Sequence, residues 1–151
     1  MPEQDALAVL EADHDKVKEL FAQFDELGDG APRGKQDLVS KICHELTVHA
    51  TIEETVFYPR VRRAGEQEKD EVLEGIEEHQ LIKELVGDLE GMTAEDESYD
   101  AKVKVLKEQV EHHVEEEEGE MFPHVRKAIK EEELIRLGEE LVRAKQAAGA
   151  S

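Results

Sequence analysis

The chain predicts an all-α fold: a four-helix bundle made from two copies of a helical hairpin, with a short fifth helix at the C-terminus. Apolar residues recur at steps of three and four along successive stretches, the period of a helix that buries one face. No stretch alternates as a half-buried strand does. The third observation is a repeat. His113, Glu117 and Pro123 each follow His49, Glu53 and Pro59 by 64 positions, and His79 follows His14 by 65. Each copy therefore carries a lone histidine and, later, a His-x-x-x-Glu whose two side chains project from one helix face.

The elements follow in order. Asp5 is a suitable N-cap for a first helix that ends near Gly28, with Leu7, Leu10, Val17, Phe21 and Phe24 inward and His14 in the same seam. Gly28 to Gly34, with Asp29, Gly30 and Pro32, reads as a loop. A second helix is expected from about Lys35 to Ala64, with Leu38, Ile42, Ile52 and Val56 marking its inner face beside His49. Pro59 should bend its final turns, because proline lacks the donor and crowds the preceding turn. The third helix spans about Gln67 to Leu89, with Val72, Ile76, Val86 and Leu89 inward around His79. After a loop over Gly91 to Ser98, where Ser98 is a candidate cap, Val103, Leu106 and Val110 lead into His113 and Glu117. Pro123 ends or kinks this helix as Pro59 does the other. A last amphipathic helix, about 132–147, carries Leu134, Ile135, Leu137, Leu141 and Val142 and should pack across the side or end of the bundle. The tail from Ala147 to Ser151 is expected to fray.

A length of 151 residues fits one domain, with the bundle over about 5–130. The formal charge of −20 repels phosphate backbones and anionic membranes, so nucleic-acid and membrane partners are disfavoured and cations favoured. Cys43, the single cysteine, excludes an internal disulfide and suits a reducing cytoplasm; the bland reading of it is a small packing residue. The N-terminus has neither a basic region nor a signal-like apolar run, and no apolar stretch reaches membrane-spanning length.

Helical phase sorts the seven histidines. His14, His49, His79 and His113 each lie on the apolar seam of a different helix, whereas His44, His112 and His124 fall off it and read as surface or rim residues. A single histidine on an apolar face is usually a core residue bonded to a neighbour. One per helix on four helices, joined by Glu53 and Glu117, is different, since burying these groups without a cation costs on the order of several kcal/mol. The six residues His14, His49, Glu53, His79, His113 and Glu117 are therefore the candidate metal ligands, for two ions. Glu115 to Glu118 is otherwise a solvated acidic run. Glu54 and Glu118, each next to a ligand, are candidates for supporting or surface contacts.

Imidazole with carboxylate suits iron, manganese or zinc, and no cysteine cluster exists for an iron–sulfur or Cys-rich zinc site. His44 and His49 stand five apart, about 140° around the helix, so they do not form a zinc-protease motif. The ferritin-type Glu-x-x-His occurs once on an inward histidine, at Glu11 and His14, whereas Leu46, Ile76 and Val110 precede the others by three.

This arrangement resembles the hemerythrin-like HHE cation-binding domains, whose pattern is seen here as His14, His49/Glu53, His79 and His113/Glu117, with similar flanks running to Pro59 and Pro123. The resemblance implies an up-down-up-down bundle holding a non-haem pair of iron ions, oxo- or hydroxo-bridged, with zinc or manganese as substitutes. It also implies a small ligand: dioxygen, peroxide or nitric oxide. Oxygen carriers of the family have a fifth histidine four residues from the third-helix one. Here Gly75 and Lys83 stand four from His79, and the fourth-helix carboxylate is Glu117 at i+4 rather than Asp at i+5. That departure moves the expectation from oxygen carriage toward sensing, peroxide turnover or iron holding. A catalase-like enzyme needs a proton donor at the site, and neither tyrosine, Tyr58 nor Tyr99, has obvious inward phase. A storage or structural metal module is the third reading. The expected assembly is a monomer or weak homodimer.

Overall fold

The computed structural model describes residues 4–28 and 31–149, and among them there is no strand. Helix α1 (Ala6–Leu27) starts at Asp5, whose side chain accepts from the Ala8 amide at 2.9 Å, the expected N-cap. Helix α2 (Pro32–Ile52) begins three residues earlier than its apolar pattern indicates, with Pro32 in the first turn, where its missing N–H is no loss. It does not run unbroken to Ala64. A π turn over Glu53–Phe57 intervenes before α3 (Tyr58–Arg62). The second copy behaves alike: α4 (Glu66–Glu90) pairs with α5 (Tyr99–Glu116), a second π turn covers Glu117–Met121, and α6 (Phe122–Ala128) follows. Both π turns begin at the repeat's glutamate and end two residues before its proline. Widening the helix there relieves the proline ring's crowding of the preceding turn and brings in an i→i+5 bond, Tyr58 N–H to Glu53 C=O and Phe122 N–H to Glu117 C=O. Ser98 stands at the N-cap of α5 without a side-chain capping bond. Of the expected first loop, Asp29 and Gly30 lie outside the described residues, as do the last two residues of the tail.

Helix α7 (Glu131–Ala147) packs on α1, α2 and the first π turn through Leu134, Leu137 and Leu141, while Val142 faces outward. Gly138 lets the backbones touch. A Cβ there would collide with the Gln4 carbonyl oxygen and meet the Ala6 nitrogen at 3.0 Å.

Two apolar clusters result. One gathers Leu7, Leu10, Ile52, Phe57, Val61, Phe122 and the α7 leucines. The other gathers Val17, Phe21, Ile42, Cys43, Val86, Leu106 and Tyr99. The Cys43 thiol, pushed up to about 12 by burial, is a packing group rather than a nucleophile. Along α1 and α4 the chemistry-bearing histidines fall between the stretches feeding these clusters, so a polar layer lies between two apolar ones. Among the described residues no helix is long and apolar enough to cross a membrane.

Candidate metal centre

All six sequence-nominated residues meet in that layer, each buried, with Glu53 at 0% exposure and Glu117 at 2%. The imidazoles come in pairs. Nε2 of His14 lies 3.2 Å from Nε2 of His49, and Nε2 of His79 lies 3.2 Å from that of His113. Glu53 Oε1 stands 3.2 Å from His49, 3.0 Å from His79 and 3.7 Å from His113. Glu117 puts Oε1 at 3.2 Å from His14 and Oε2 at 3.2 Å from His113. Either carboxylate thus reaches both imidazole pairs.

A carboxylate holds the far side of every ring. Nδ1 donates to Glu118 from His14 (2.6 Å), to Asp13 from His49 (3.0 Å), to Glu54 from His79 (2.7 Å) and to Glu78 from His113 (2.6 Å). With the proton fixed on Nδ1, each Nε2 presents a lone pair inward, the tautomer a metal requires. Two lone pairs facing at this distance repel, so something positive belongs between them. Glu53 Oε2 and Glu117 Oε1 are buried and accept no hydrogen bond among the described residues. Facing imidazole nitrogens with orphaned carboxylate oxygens form a donor set that fits a metal ion.

Sequence reasoning reached Glu54 and Glu118 only as alternatives and missed Asp13 and Glu78. The signal was present: Glu118 follows Glu54 by 64 positions and Glu78 follows Asp13 by 65, as the ligands do. Asp13 is also paired with Lys145, which ties α7 to the ring orientation of His49.

Tyr58 is a correction. The phase of a regular helix points it away, yet it is 1% exposed and its hydroxyl donates to Glu117 Oε2 at 2.7 Å, 3.5 Å from His79 Nε2. The π turn adds one residue to the preceding turn and swings it inward. Gly75 makes the room, since a Cβ there would meet the hydroxyl at 2.7 Å. Burial, then Glu117, pushes the phenol well above its usual value, so it stays a donor. Tyr99 is also buried, but in the second apolar cluster. His44 and His112 are exposed, and His124 is half-buried against Glu71.

Without a metal, protons hold the centre together. Burial opposes the imidazolium forms, but Glu117 raises His14 and His113 above the usual range, and Glu53 with Asp13 raises His49 to about 10. Glu53, though buried, is held well below the carboxylate range, first by His49. Pairing of the raised imidazoles stabilises the metal-free fold fully below about pH 6.5 and is lost as pH rises toward about 10. The depressed carboxylate contributes above its ordinary 4.5 and is lost in acid. Metal must displace the imidazole protons. From pH 6 to 9, then, we expect the metal-free melting temperature to fall while the metal-induced gain in melting temperature grows. Loading at neutral pH should release protons, read with an indicator dye in weak buffer. Loading with no proton release would contradict histidine ligation.

The fold and this cluster define a helical-bundle cation-binding protein. The family model described as Hemerythrin HHE cation binding domain matches residues 5–125, and the chain belongs to that family. It is similar to a crystal structure of a hemerythrin HHE cation binding domain-containing protein from Mycobacterium kansasii, with a TM-score of 0.80, 25% identity and coverage of 97% of this chain and 88% of that one. It is 31% identical over 103 residues to an uncharacterized hemerythrin-like protein of Schizosaccharomyces pombe, covering 68% of this chain and 51% of that protein. A Nostoc protein described as a DNA nickase is 30% identical over 138 residues, 91% of this chain and 38% of that protein. The chain thus spans about half or less of the length of these curated relatives.

Proposed function

We infer that the cluster holds two metal ions, natively iron, as a non-haem pair that binds, senses or turns over a small oxidant such as dioxygen, peroxide or nitric oxide. The observation that carries this reading is the pairing of the rings: two facing imidazoles at each end and a carboxylate reaching both ends. Two imidazoles per ion with shared carboxylates leave coordination positions open for a ligand. When bound, such ions supply Lewis acidity and one-electron chemistry. Around them the chain supplies a small cavity of about 20 Å³, walled by Val17, Leu46, Ile82, Val110 and Val114 against the four rings. Its size and apolar walls admit about one water-sized, uncharged molecule.

One observation favours the enzymatic version, a catalase-like or peroxide-reducing protein. Tyr58 places a neutral O–H on Glu117 inside the cluster, the proton donor that peroxide cleavage requires. A nicking activity of the kind named for the longer Nostoc relative is disfavoured, because a net charge of −20 opposes a phosphate backbone. A reducing, cytoplasmic setting accords with one buried cysteine.

The test is metal content and the visible spectrum of iron-loaded protein, followed by oxygen evolution from peroxide in wild type and Tyr58→Phe. Two irons per chain are expected. For the enzyme, Tyr58→Phe should lose on the order of a hundredfold in turnover with metal content unchanged. Equal turnover in the variant removes the proton-donor role; one zinc or no metal at all defeats the oxidant reading.

A further inference from the structure

Immediately outside the inner cluster lies a second set of metal-ligand types, of which the inferred function uses only Glu78. His112 and Glu116 stand four apart on α5, and Glu78 faces them from α4. His112 Nε2 is 3.1 Å from Glu116 Oε1 and 3.6 Å from Glu78 Oε2. The set is the inner trio of His79, His113 and Glu117 displaced by one residue, so each member neighbours a member of the inner cluster. Glu78 belongs to both, because its other oxygen accepts from His113 Nδ1 at 2.6 Å.

Two further observations point to a ligand. A narrow cavity of about 20 Å³ is lined by Glu78 and Glu116 of this set, though not by His112, together with Gly75, His113 and Glu117. The repeat supplies the second. The positions 64 residues before His112 and Glu116 are Val48 and Ile52, both buried in the cluster that α7 covers. Where one half of the molecule has an apolar face under a helix, the other has an open face bearing an imidazole and carboxylates.

We propose that Glu78, His112 and Glu116 form an outer site for a divalent transition-metal cation, through which cations reach the inner cluster. The inner destination rests on the function inferred above; the outer site does not. One imidazole and two carboxylates suit Mn²⁺, Fe²⁺ or Zn²⁺. With only three protein donors and a solvent-facing imidazole, the site holds its ion loosely, as a waystation needs.

The test titrates the metal-free full-length chain with Mn²⁺ and follows the electron paramagnetic resonance signal of the free ion. Wild type should bind one weak equivalent beyond those of the inner cluster. His112→Ala/Glu116→Gln, checked for folding by circular dichroism, should lose that equivalent, keep the tight ones and fill them about tenfold more slowly, as loss of a charge-focused entry predicts. His49→Ala/Glu53→Gln should keep the weak equivalent, which separates the outer site from the inner reading. A weak equivalent of equal size in wild type and His112→Ala/Glu116→Gln means surface carboxylates alone and overturns the site. An unchanged filling rate overturns the route.

Discussion

Glu53→Gln should abolish stable metal loading, with affinity falling by more than the roughly 10- to 100-fold that losing an outer carboxylate costs. The substitution keeps volume and removes charge at a group that is fully buried and lies within 3.7 Å of three imidazoles. The metal-free chain should suffer as well. His49, held protonated first by Glu53, loses its main counter-charge in the interior, and breaking a buried pair costs about 3–5 kcal/mol. Metal per chain after desalting and the urea midpoint of the metal-free protein measure the two effects. Glu54→Gln, which meets the cluster only at the far side of His79 and otherwise pairs with Lys83, is the graded comparison: weakened loading on an intact fold. Full metal occupancy in Glu53→Gln would remove this glutamate from the ligand set.

Gly138→Leu should destabilise the fold by about 3 kcal/mol, at the upper end of ordinary overpacking, because its new side chain meets backbone rather than a movable side chain. Gly87→Ala is the opposite case. It sits within α4 with nothing within 4 Å of a built Cβ, so it should stabilise by about 0.5–1 kcal/mol. Thermal melts of both variants decide the matter, and a neutral Gly138→Leu would show that α7 docks with slack. Displacing α7 also draws Lys145 from Asp13 and so loosens His49, which should weaken metal binding in the same variant.

The six nominated residues were readable because a 64-residue offset and helical phase both survive in a single sequence. Five amphipathic stretches were readable from helical phase, but not that π turns interrupt the second and fourth of them. What escaped detection did so through departures from a regular helix. Tyr58 is out of phase only if the turn before it is α; the π turn that Pro59 follows changes its direction. Asp13 and Glu78 sit one residue before a ligand and off the apolar stripe, and they act across to a neighbouring helix, a relation that one helix's periodicity does not encode. The repeat did encode it, by pairing Asp13 with Glu78 at the same offset as their histidines.

The two halves are not faithful copies. Position for position, Tyr58 answers to Phe122 and Gly75 to Leu10. Both rings lie nearly parallel to a histidine, Tyr58 at 5.4 Å and 21° from His79, Phe122 at 6.3 Å and 12° from His14. Only one of them carries a hydroxyl. A duplicated scaffold has thus been given handedness at its centre. The end near His79 has a hydroxyl dipole against its ring, and the end near His14 has only a hydrocarbon ring in that place. Ions resting at the two ends would experience unequal fields, give two distinguishable spectroscopic signals, and exchange electrons in a set order rather than interchangeably.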